Sequence, residues 1–73
     1  MIQHYKDYKL VTNCKKLVNN TYSVSIIIEK NINNRIFSEV FMDTKISLIL
    51  KVEAENESIN FGKNIINRNL IEF

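Results

Sequence analysis

The chain has 73 residues, 45% of them hydrophobic, and a formal net charge of +2. That length holds one small domain, residues 1–73, with a thin core that buries about 60% of the surface its unfolded chain exposes. The apolar content excludes wholesale disorder, the charge implies no polyanion partner by itself, and no apolar run reaches membrane-spanning length. A single cysteine, Cys14, cannot form an internal disulfide and suits a reducing compartment. The stretch MIQHYKDYKL lacks the apolar core of a signal peptide, so the expected location is cytoplasmic.

In chain order, the first residues, including His4, read as a frayed terminus. Tyr8 to Leu17 then shows a loose alternation, with Tyr8, Leu10, Thr12 and Cys14 against Lys9, Val11, Asn13 and Lys15. Val18 to Asn20 makes a turn, because asparagine tolerates the left-handed conformation. Thr21 to Lys30 is the clearest strand: Tyr22, Val24, Ile26 and Ile28 fall on one face, and Ser23, Ser25, Ile27 and Glu29 on the other. Asn31 to Asn34 is again turn chemistry, and Arg35 to Met42 follows as the partner strand. Both of its faces carry apolar residues, so period two alone leaves its inward face open. Asp43 to Lys45 breaks the pattern, and a short fourth strand is predicted near Ile46 to Ile49.

A helix is predicted from about Leu50 to Leu70. Glu53, Glu55 and Glu57 crowd its start, while Lys63 and Arg68 lie toward its end, an order that complements the helix dipole. The chain's only glycine, Gly62, sits in the middle of this helix. Glycine there costs roughly 0.5–1 kcal/mol relative to alanine. Ala54, Ser58 and Gly62 recur every fourth residue and so form one line of minimal side chains, flanked by Ile59 and Ile66 on one side and Phe61 and Ile65 on the other. Such a strip lets a helix settle close onto a sheet. Alanine at position 62 would regain helix propensity, whereas leucine would force the layers apart. The expected fold is α+β: an antiparallel sheet of three or four strands with one C-terminal helix packed on one face.

The pattern resembles a group of short, uncharacterised bacterial proteins built as three strands and a C-terminal helix. The residues that carry the likeness are Tyr8 and Leu10, then Tyr22, Val24, Ile26 and Ile28, then Arg35 and Phe37. In the helix they are Ala54, Phe61, Gly62, Lys63, Ile65 and Ile66. Tyr22 stands where that group usually has tryptophan, and the connection from Phe37 to the helix is several residues longer. The resemblance implies the fold and no activity.

No catalytic, metal or cofactor site is expected. Glu53 and Glu57 share a helix face but have no histidine or aspartate nearby in sequence, and read as a solvated helix start. Cys14 and His4 could in principle pair as nucleophile and base, but read as a strand cysteine and a surface histidine. One cysteine and one histidine do not make a zinc site. The Gly62-Lys63 step lacks the upstream glycine of a phosphate-binding loop.

Two surfaces remain. Lys6, Lys9, Lys15 and Lys16 lie near Tyr5 and Tyr8, a combination that can bind single-stranded nucleic acid or merely guard an edge strand. One helix covers only one face of the sheet, which leaves Val11, Ile27, Ile36 and Val40 as candidates for an apolar open face. The functional expectation is a non-catalytic interaction module that self-associates as a homodimer or docks a partner through that face. The alternative is a weak nucleic-acid-binding protein using the basic first strand.

Overall fold

A computed structural model describes Met1–Phe73. Strands β1 (Ile2–Tyr5), β2 (Tyr8–Thr12), β3 (Tyr22–Ile32) and β4 (Arg35–Leu48) precede a single helix, α1 (Lys51–Asn67). The sheet is an antiparallel meander in the order β1-β2-β3-β4, with α1 across one face, the α+β arrangement expected from the sequence.

Asparagine makes the turns. Five non-glycine residues have positive φ, and four of them are Asn20, Asn33, Asn34 and Asn69; the fifth is Lys6. Asn33 and Asn34, with φ of 51° and 65°, form the two-residue β3–β4 connection, and two successive left-handed residues match the right-handed twist of the strands. At the end of α1, Asn69 (φ 54°) lets its own N–H bond Ile66 O at 3.1 Å, and the Leu70 N–H bonds Ile65 O at 3.1 Å. That pair of bonds is a Schellman stop, which closes the helix at Asn67, before the predicted Leu70.

Besides the helix end, three boundaries depart clearly from the sequence expectation. The N-terminus is not frayed: Ile2–Tyr5 forms the fourth strand, joined to β2 through the two-residue turn Lys6-Asp7. Regular β2 ends at Thr12, well before Leu17. Residues 46–48 are the end of β4, with no separate strand there. The Asp43–Lys45 break is a bulge: Val24 pairs with Asp43 while Ser23 pairs with Ser47, so Thr44, Lys45 and Ile46 are extra residues on β4. The Asp43 carboxylate accepts the Lys45 N–H at 3.1 Å and holds the excursion in place.

The core lies between the sheet and α1. Leu10, Ile26 and Ile28 meet Ile59, Ile65 and Ile66, with Tyr5, Tyr8, Phe41, Phe61 and Ile71 packed around the rim. Ala54, Ser58 and Gly62 are all buried. The helix comes closest at Gly62, where a Cβ would lie 3.0 Å from Ile26 Cγ1 and 3.1 Å from Leu10 Cδ2. Both neighbours are fully buried and have little room to retreat.

The same strip carries one polar anchor. At the end of β2 the ladder is interrupted: the Asn13 N–H still bonds Ser25 O at 3.0 Å, but the Ser25 N–H bonds Ser58 Oγ at 3.0 Å. Ser58 donates its one hydroxyl proton to Ala54 O at 2.7 Å, so the Cys14 thiol, 3.1 Å away, is the donor to Ser58 Oγ. One helix hydroxyl therefore replaces a missing strand acceptor and takes up the thiol as well. The buried Ser25 hydroxyl has no protein partner, and nothing in the structure explains it.

Two measurements check this seam. Gly62→Ala gains helix propensity but pushes against Ile26 and Leu10, so its urea midpoint should fall, against the expectation from propensity alone. Gly62→Leu should cost about 1–3 kcal/mol or more. An unchanged midpoint in Gly62→Leu would contradict the close approach. Ser58→Ala strands the buried Ser25 N–H and should destabilise by about 1–3 kcal/mol. Hydrogen exchange at Ser25 should quicken in the same variant; unaltered exchange and stability would count against the anchor.

Candidate interaction face

Register and period two sort the side chains between the two faces. Gln3, Tyr5, Tyr8, Leu10, Thr12, Ile26, Ile28, Phe37, Glu39 and Phe41 lie on the helix side. Phe37 stacks on Phe73 with ring centroids 6.1 Å apart, in keeping with that side. The opposite, open side receives Ile2, His4, Lys9, Val11, Ile27, Glu29, Ile36, Ser38, Val40 and Met42. The inward face of β4 is thus the one bearing Phe37 and Phe41.

On the open side, four apolar residues are direct cross-strand partners in one row: Ile2 with Val11, Val11 with Ile27, and Ile27 with Val40. Each strand contributes one. Val11 and Ile27 are half-buried by their flanking strands, while Ile2 is 59% and Val40 56% exposed. Ile36 (70% exposed) and Met42 (51%) extend the apolar surface along β4. Adjacent to this row runs a polar one, His4 with Lys9, Lys9 with Glu29, and Glu29 with Ser38. Of these residues, the sequence singled out Val11, Ile27, Ile36 and Val40. It missed Ile2 and Met42; the Ile2-x-His4 alternation before the short Lys6-Asp7 turn was the available signal.

The other candidates are dispersed. Lys6 sits in the β1–β2 turn and donates to Asn67 Oδ1 at 2.8 Å, while Lys15 and Lys16 lie beyond the opposite end of β2. Lys9 faces the open side between them. Nor is β2 an edge, since β1 covers it. The Tyr8 ring packs beside Phe73 (centroids 6.5 Å apart) and under the Lys30 ammonium at 4.9 Å, so one of its faces is already engaged. His4 is on the open side, and Cys14 bonds the helix through Ser58, so the two do not meet. Glu53 and Glu57 are exposed, and no three His, Cys, Asp or Glu side chains converge as a metal site. A shallow open cleft of about 250 Å³ lies by His4, Asp7, Lys9 and Glu29, at the polar end of the open face.

Glu55 is the one carboxylate in a salt bridge. It accepts hydrogen bonds from the Met1 ammonium at 3.0 Å and the Thr12 hydroxyl at 3.1 Å, which ties α1 to the start of β1 and the end of β2. The Met1 ammonium, and next the Thr12 hydroxyl, hold its carboxyl below the ordinary carboxylate value. A depressed folded-state value means stability that is present above the unfolded value and lost as pH falls through the folded one. Glu55→Gln should therefore lower the Tm slightly at neutral pH, and the gap should close below about pH 4, near the range of a free glutamate. A gap that stayed constant across that range would show the carboxylate charge to be irrelevant.

Comparison with protein-family models, with curated proteins and with solved structures returned no match to this chain. The likeness to three-stranded bacterial proteins therefore rests on the core positions that carry it. No helix of the protein is long and apolar enough to cross a membrane.

Proposed function

We propose that this protein is a non-catalytic interaction module that self-associates, as a homodimer, through the open face of its sheet. The observation that carries the reading is the row Ile2–Val11–Ile27–Val40, one apolar residue per strand in unbroken register. A row of this kind on the solvent side contributes nothing to the monomer's core, which lies wholly on the other face. Its value is realised when another surface covers it. The side chains with chemical potential are meanwhile committed to the fold: the Cys14 thiol to Ser58, the Glu55 carboxylate to Met1 and Thr12. A cytoplasmic setting fits the unpaired Cys14.

Full burial of an exposed isoleucine is worth roughly 1.5–3 kcal/mol; Ile27, already half-buried, gains a fraction of that, and two-fold symmetry counts it twice. A charge at that position would in addition be stranded away from water. Light scattering of the wild type should show mass rising with concentration toward twice the single-chain value. Ile27→Lys should remain at the single-chain mass with near-native circular dichroism, because Ile27 does not face α1. A wild type that stays at the single-chain mass at the highest reachable concentration would end this reading. Salt-sensitive retention of that monomer on heparin would then favour nucleic-acid binding by the Lys6–Lys16 region.

A further inference from the structure

The open face is small for a dimer interface, so most of it has to be covered. Four strands about 4.8 Å apart make a face roughly 20 Å across. β1 and β2 have only four and five residues, about 15 Å of strand, and beyond them β3 and β4 continue as a two-stranded ribbon, so the face is on the order of 500 Å², below the roughly 800 Å² each partner brings to a standard interface. Contact confined to the apolar row would fall well short, so the neighbouring polar row must be covered as well. That row contains Lys9 and Glu29, direct cross-strand partners of opposite charge. They form no ion pair with each other; the chain's one salt bridge joins Met1 and Glu55. A covering surface must therefore present an anion over Lys9 and a cation over Glu29, beside an apolar strip running in the same direction.

We infer that this surface is the same face of a second copy, related by a two-fold axis that runs along the strands between β2 and β3. The inference rests on the self-association reading above and specifies its geometry. Rotation about that axis lays β2 over the partner's β3 and keeps each row at its own level along the strands. Val11 then falls over the partner's Ile27, and Ile2 over the partner's Val40. In the next row Lys9 falls over the partner's Glu29, and Glu29 over the partner's Lys9, two complementary contacts from one operation. Strands tilted from such an axis cross those of the other copy at twice the tilt, which accommodates the roughly 30° of aligned sheet packing.

The other in-plane two-fold runs across the strands and does worse. Centred on the apolar row, it turns Lys9 and Glu29 toward the uncharged row of Ser25 and Met42. Centred on the polar row, it sets Lys9 over Lys9 and Glu29 over Glu29. Charges at a covered surface suppress wrong arrangements more than they add affinity. Here the apolar row supplies the attraction, and Lys9 with Glu29 selects the arrangement.

Charge exchange tests this directly by sedimentation equilibrium. Lys9→Glu and Glu29→Lys, each alone, should weaken dimerisation at least tenfold, because like charges then face each other. An equimolar mixture of the two single variants should dimerise, since every contact is again between opposite charges. The double variant Lys9→Glu/Glu29→Lys should dimerise as the wild type does, which also shows that the exchanged residues leave the fold intact. Single variants that dimerise normally, or a mixture or double variant that stays monomeric, would overturn the arrangement. If Ile27→Lys still dissociates the wild-type dimer in that case, only the arrangement fails. A monomeric wild type would instead remove the underlying reading.

Discussion

The closest approach of α1 to the sheet governs the rest of the fold. At Gly62 even a Cβ would press against the buried Ile26 and Leu10, at 3.0 and 3.1 Å. That proximity brings Ser58, one turn earlier, within hydrogen-bonding reach of the strand backbone, where its hydroxyl stands in for an absent ladder acceptor. The two contacts depend on each other. A helix held farther out by a larger residue at position 62 could not deliver the Ser58 hydroxyl to Ser25, and the Cys14 thiol would lose its acceptor as well. A chain of this size has a thin core, and it compensates by bringing its two layers close together rather than by enlarging the side chains between them.

The division of labour between the faces follows from that compactness. With one helix and a four-stranded sheet, every large apolar residue on the helix side is used, down to Phe37 against Phe73. No second helix is left for the other side. The apolar row there is consequently a property of the surface and not of the core. In the proposed dimer the apolar row supplies the affinity and the polar row beside it the orientation.

What could be read from the sequence depended on how sharply each residue's environment was written into its neighbours. β3 was legible because β-branched residues alternate over a long stretch, and its central position makes both faces matter. The line Ala54–Ser58–Gly62 was legible as a packing strip because small residues at helical spacing have few other uses. β1 was not, since its short run IQHY alternates without strong apolar contrast and its turn, Lys6-Asp7, lacks the asparagine or glycine that marks the others. The inward face of β4 was hidden because it presents apolar residues both ways, toward the core and toward the open side. Only its pairing with β3 separates them. The lysines near β2 formed a cluster in sequence alone: a turn and a strand separate Lys6 from Lys15, and proximity along the chain did not become proximity in space.

The bulge in β4 has a consequence for the outer margin of the sheet. β4 is an edge strand of 14 residues, with only Glu39 carrying charge between Ile36 and Met42. A long margin of this kind is a template on which a foreign strand, or a misfolding copy, can pair. The three residues inserted after Asp43 break the spacing of the free backbone groups and bend the strand out of line. A strand recruited along Arg35–Met42 would lose its hydrogen-bonding partners at Asp43 and could not propagate past it. The irregularity that interrupts the pattern in the sequence is, in the folded molecule, a limit on how much of this edge another strand can pair with.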